Sequence, residues 1–215
     1  MNKKTTLAWM LALPLAASTL QGCFPVVAAG AGTAVVSSID RRTSGTQLED
    51  EGIELRSSNR ISERYGDKVH VNVVSYNRAV LLAGEVPDAA AKAEVEKLVR
   101  GVPNVRAVTN DLAIAGPSSL GARSNDAVLT SKVKARFVDA GKFNAVHVKV
   151  VSEASVVYLF GIVTEREAAD ATEIARTTGG AKKVVRLFEF CKASDEACRP
   201  TATRPAPPAD AKSSP

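Results

Sequence analysis

The chain has 215 residues, 45% of them hydrophobic and only 5% aromatic. That length suits one or two ordinary domains, with cores built mainly from Val, Leu, Ile and Ala. The formal charge of +5 loses two units when Lys3 and Lys4 are set aside, and so weak a basic excess does not argue for a nucleic-acid partner.

Those two lysines open the chain. An uncharged apolar run follows from Leu7 to Leu20, and then Gln21-Gly22-Cys23. This is the layout of a secretory signal, and the run is too short to cross roughly 30 Å of hydrocarbon as a helix. Two readings fit: an ordinary signal peptide with an incidental cysteine, or a lipoprotein signal over 1–22. The register of lysines, apolar run, small Gly22 and Cys23 favours the second. Leu20-Gln21-Gly22-Cys23 resembles the bacterial lipobox, which implies that Cys23 is acylated and becomes the first mature residue. Each buried CH₂ contributes about 0.8 kcal/mol, so several acyl chains would hold the protein stably in a bilayer leaflet. The same resemblance implies the outer membrane, facing the periplasm, because Phe24 and Pro25 stand where an inner-membrane retention signal carries Asp.

Val26 to Ile39 reads either as a short apolar helix or as a tether; Gly30 and Gly32 favour the tether, set at 23–45. Beyond it lies an internal repeat. Val69–Val86 and Val146–Val163 align without a gap at an offset of 77, with ten of 18 positions identical. Such self-similarity signals a repeated structural unit. Each copy opens with a helix, Asp50–Tyr65 and Asn125–Ala140, whose Ile53, Ser57, Ile61 and Leu129, Val133, Phe137 fall on one face. Asn125 or Asp126 can cap the second. Two β runs follow, Val69–Val74 with Val80–Val86 and Val146–Val151 with Val156–Val163, each pair separated by a short polar turn as in a hairpin. Then come a second helix, Ala89–Arg100 and Glu165–Thr177, and a closing strand, Val105–Ile114 and Lys183–Phe190. The fold class is α+β: two tandem α-β-β-α-β modules, 46–115 and 124–190, each with two helices on one face of a mixed three-stranded sheet. A right-handed crossover is expected in each. The segment 116–123 links them, and 191–215 is a Pro-rich tail that reads as disordered.

This plan, with Leu82-Ala83-Gly84-Glu85-Val86, Leu159-Phe160-Gly161-Ile162-Val163 and Gly101-Val102-Pro103-Asn104-Val105, resembles the BON domain. The whole, including Asp40-Arg41-Arg42-Thr43-Ser44-Gly45-Thr46, resembles the dual BON-domain outer-membrane lipoproteins. That resemblance implies a non-enzymatic protein, bound by acyl chains to the inner leaflet of the outer membrane. It also implies binding of anionic phospholipid, notably phosphatidylglycerol, through the first helix of the second BON domain, and a role in envelope integrity and at the division site. Members can carry Trp where this chain has Val128. An alternative is a scaffold that binds an envelope protein, such as outer-membrane assembly machinery.

The residues bear on that role directly. Thr46–Ala115 holds 9 Lys and Arg against 11 Asp and Glu, whereas Ser124–Phe190 holds 10 against 8. An anionic membrane attracts the second copy more, at about 1 kcal/mol per well-placed basic residue. The candidate anionic-lipid contact is Val128, Lys132, Ala135, Arg136 and Phe137; the plain alternative is a solvated helix face. No catalytic constellation and no cofactor motif stand out. His70 and His147 occupy equivalent repeat positions on first strands, which points to structure, and two histidines with two distant cysteines do not make a zinc site. Cys191 and Cys198 read as a disulfide in an oxidising compartment, with free or intermolecular thiols the alternative.

Overall fold

The structure, a computed structural model, describes residues 40–192, 194–195 and 198. The signal segment, Cys23, most of the tether and the end of the Pro-rich tail lie outside the described residues. Helix α1 spans Ser44–Tyr65 and is capped by Thr43, whose hydroxyl accepts the Thr46 N–H at 3.2 Å. Strands β1 (His70–Tyr76) and β2 (Ala79–Val86) follow, then α2 (Ala89–Arg100), β3 (Ala107–Asn110) and the short β4 (Ala113–Ile114). The second module repeats the plan with α3 (Leu120–Ala140), β5 (Lys149–Glu153), β6 (Val156–Val163), α4 (Glu165–Arg176) and β7 (Lys183–Phe190).

Both sheets have the expected mixed topology. β1 pairs antiparallel with β2, and β2 pairs parallel with β3 and β4. β5–β6 and β6–β7 repeat the arrangement. Each hairpin turns through two residues of positive φ, Asn77-Arg78 and Ala154-Ser155, as a type I′ turn requires. Gly84 (φ +118°) lies so close to the His70 carbonyl that a Cβ would collide with it. Gly161 meets the His147 carbonyl in the same way.

Four expectations about the elements change. Both first helices start earlier, because Thr43 and Ser119 supply the caps; α3 therefore begins inside the expected linker. Asp126 is not a cap but a buried residue two turns into the helix. The strand expected over Val105–Ile114 breaks in two, where Leu112 turns into the core at 2% exposure and the Asn110 side chain accepts its N–H. His147 falls in a 3₁₀ turn, Ala145–His147, ahead of β5.

The helices of each module cover one face of its own sheet. Ile53, Ile61, Val95 and Val99 pack on Val73, Val80, Leu82 and Val86. Leu129, Val133, Phe137 and Ile174 pack on Val150, Val157, Leu159 and Val163. The opposite faces pack on each other. Val74, Tyr76, Leu81 and Ala83 of the first sheet form one buried cluster with Tyr158 and Phe160 of the second. The result is four layers, helices–sheet–sheet–helices, with side chains of both inner faces meeting as in other sheet-on-sheet packings.

Polar bonds rim this seam. The Tyr158 hydroxyl donates to Asp111 at 2.9 Å, Lys149 donates to Glu54 at 2.9 Å, and Asn77 donates to Glu189 at 2.8 Å. Arg106 also pairs with Glu189. The segment before α1 joins in. Arg41 forms a two-toothed pair with Glu167 of α4 at 2.7 and 3.0 Å and donates to the Ile162 carbonyl at 2.8 Å. Arg42 binds Asp40 and Asp50 and lies 4.1 Å from the Tyr76 ring centre.

Candidate lipid-contact face

The candidate face is the outer side of α3. Leu129, Val133 and Phe137 point inward, and their burial leaves the opposite side of the helix in solvent. Val128 is 52% exposed and Val138 68% exposed. Ala135 lies between them along the helix and is exposed. At about 100° per residue these three fall in one sector of the helix, a mainly apolar strip that also holds exposed Ser131. Exposed Lys132 and Lys134 stand on its two sides, with exposed Asp139 on the Lys132 side. An apolar strip bordered by lysines is the arrangement by which a helix lies in a membrane interface, the strip inserted and the ammonium groups level with the phosphates.

The five candidates thus separate. Val128, Lys132 and Ala135 share the open face. Phe137 is fully buried and packs edge-on against Phe143, with ring centres 5.1 Å apart, so it supports the helix from below. Arg136 is half-buried, and its guanidinium is already engaged. It donates to the Ile174 carbonyl at 2.9 Å, to the Thr178 hydroxyl at 2.8 Å and to the Thr177 hydroxyl at 3.1 Å. A cation there also complements the C-terminal end of the α4 dipole, so Arg136 ties the two helices together. Val138 and Lys134 complete the face; the three- and four-residue spacing from Val128 carried their signal.

Shape alone does not single out α3. Helix α1 also exposes apolar side chains, Leu48 at 71% and Leu55 at 63%. The charge does. α1 sets Arg56, Arg60 and Arg64 against Glu49, Asp50, Glu51, Glu54 and Glu63. α3 sets Arg123, Lys132, Lys134 and Arg136 against Asp126 and Asp139. Equivalent helices therefore carry opposite net charge. An anionic surface attracts the second and repels the first.

Both helices begin their inward stripe with a buried aspartate that holds the hairpin turn. Asp126 accepts the Ala154 and Ser155 N–H groups at 2.9 and 2.8 Å. Asp50 accepts those of Asn77 and Arg78 at 2.8 and 2.7 Å, with the Ser75 hydroxyl at 2.7 Å. These bonds fix how α3 sits on its sheet, and so which face it turns outward. At the far end of the module, Cys191 and Cys198 are joined in a disulfide just past β7, and Cys198 is buried. No helix among the described residues is long and apolar enough to cross a membrane.

Two sheet-and-helix modules of this topology define a tandem α+β protein, and the BON domain model matches both of them, over residues 49–116 and 125–192. The chain belongs to the BON domain family, in its dual-domain form. It is 38% identical over 173 residues to Outer membrane lipoprotein DolP of Haemophilus influenzae, covering 80% of this chain and 90% of that one. It is 30% identical to the 21 kDa hemolysin of Actinobacillus pleuropneumoniae, over 71% of this chain and 79% of the relative. Osmotically-inducible protein Y of Escherichia coli is 28% identical over 72% of this chain and 78% of its own length.

Proposed function

We propose that this protein is a lipoprotein of the outer membrane, anchored through Cys23 and facing the periplasm, whose second BON domain binds anionic phospholipid such as phosphatidylglycerol. The observation that carries the reading is the Val128–Ala135–Val138 strip between Lys132 and Lys134, set against an acidic α1. The name of the Haemophilus relative supports the anchor and the membrane. Acyl chains at one end make the α3 contact intramolecular, so a site too weak to recruit the protein from solution still engages its lipid. A protein held this way at two places suits a part in envelope integrity, including at the division site.

The test is co-sedimentation of the chain from Phe24 onward, which lacks Cys23, with vesicles of phosphatidylglycerol or of a zwitterionic lipid. Binding is expected on the anionic vesicles only and should weaken with salt. Lys132→Glu with Lys134→Glu should reduce it by more than about tenfold, because each removes roughly 1 kcal/mol of attraction. Equal binding to both lipids, or full binding by the double variant, would remove α3 as the lipid reader.

A further inference from the structure

Three donors meet at the junction of the two modules. His70 on β1 and Glu85 on β2 are cross-strand partners, so their side chains leave the sheet on the same face. Glu153, the last residue of β5, reaches the pair from the second module. The His70 Nε2 lies 3.3 Å from a Glu153 carboxylate oxygen. One ligand atom from each residue, including Glu85, falls within 4.8 Å of the other two.

Both carboxylates are more than nine-tenths buried, Glu85 at 7% and Glu153 at 6% exposure. Their protein partners are sparse. Glu85 accepts the Ser118 N–H at 3.0 Å, and Glu153 accepts the Asn72 side-chain amide at 3.4 Å. Among the described residues no lysine or arginine pairs with either; His70 is the one basic partner, and only of Glu153. Two buried carboxylates and an imidazole converge in one small space, a donor set of the kind that takes a metal ion. A cavity of about 390 Å³ borders the cluster, lined by His70, Asn72, Arg123 and Glu153 among others. It gives an entry route and space for a water molecule.

We propose that His70, Glu85 and Glu153 form a binding site for a divalent transition-metal ion, with zinc the best match. One imidazole and two carboxylates are three protein ligands of the kind zinc takes, leaving a fourth position for water from the cavity. A tetrahedral centre with bonds near 2.0 Å sets its ligands roughly 3.3 Å apart, so ligand atoms within 4.8 Å of one another need a contraction of about 1.5 Å at most between their widest pair. The imidazole disfavours calcium and magnesium, which take oxygen ligands. Asn72 and the Ser118 N–H orient the two carboxylates from behind, as supporting groups around a metal do. The trio occurs once in the chain: at the repeat offset of 77, Ile162 stands where Glu85 does. Two ligands come from one module and the third from the other, so the ion would clasp the modules together. This inference stands apart from the lipid-binding reading and uses none of its residues.

The full chain, purified in detergent and stripped with chelator, is titrated with Zn²⁺ by calorimetry, with Co²⁺ as a spectroscopic probe. One ion per chain is expected, with the visible absorption of four-coordinate cobalt and a raised unfolding temperature. His70→Gln and Glu153→Gln should each weaken binding by at least about tenfold. His147→Gln, at the equivalent repeat position, should leave the affinity within about twofold. Circular dichroism of each variant establishes that it is folded, and Glu85→Gln replaces any that is not. Absence of binding to the unaltered chain, or affinity that survives loss of His70 or of Glu153, would overturn the proposal.

Discussion

At the level of single residues, the buried aspartates decide more than their helices reveal. Asp126 is acceptor to two N–H groups of the β5–β6 turn. Asp126→Ala should cost about 2–4 kcal/mol in urea unfolding, since two hydrogen bonds to a carboxylate are lost, each worth roughly 1.5–3 kcal/mol. Asp50→Ala should cost more, because Ser75 and Arg42 also lose their partner. The signal was present in the sequence. Asp50-Ile53-Ser57-Ile61 and Asp126-Leu129-Val133-Phe137 have the same spacing, so an acid begins the apolar stripe in both copies. Read as a cap, Asp126 satisfied a local rule; a tertiary bond to the turn won instead. The metal cluster was hidden for a related reason. Its histidine was visible, but Glu153 comes from a distant strand, and only the folded chain shows that it reaches His70. Gly84 and Gly161 were visible as a repeated pair. Alanine at either should destabilise by about 1–3 kcal/mol through strain against the facing carbonyl, measurable as a lower urea midpoint.

At the level of elements, α2, β6 and β7 follow the sequence pattern closely, and errors gather at helix starts. Propensity marks a helix interior well, whereas its start depends on which hydroxyl turns back onto the chain, Thr43 or Ser119 here. The segment before α1 is held by charge. Burial pushes the Glu167 carboxyl up, but the Arg41 guanidinium and the Thr164 N–H and hydroxyl outweigh it and hold the carboxyl at about 2, against 4.5 for a free one. A depressed acid stabilises the fold above its unfolded value. That contribution should be intact above about pH 5 and should fade as pH drops through 4 toward 2. Its size is on the order of 2–3 kcal/mol. Arg41→Ala should remove most of this acid dependence in unfolding curves taken from pH 7 to pH 3.

At the level of the whole molecule, the two-module plan was legible from the repeat, while the way the modules face each other was not. Every residue of β2 from Val80 to Val86 is buried, and a strand covered on both faces reads as a continuous apolar run. Leu81, Ala83, Tyr158 and Phe160 carry that signal, but it does not say what covers the second face. The answer is the other copy. Phe160→Ala opens this shared layer and should cost about 3–5 kcal/mol. Calorimetry should then show two unfolding steps in place of one, as each module keeps its own helix-covered core.

Arg41 and Arg42 are neighbours in the chain, yet one is bonded to the second module and the other to the first. A pull applied from the N-terminal side therefore meets both modules within two residues, before it can peel α1 from its end. Tension is divided between two bodies at the point of entry, and the protein resists as one mechanical unit. In an optical trap the unaltered chain should yield in a single event, and Arg41→Ala in two successive ones.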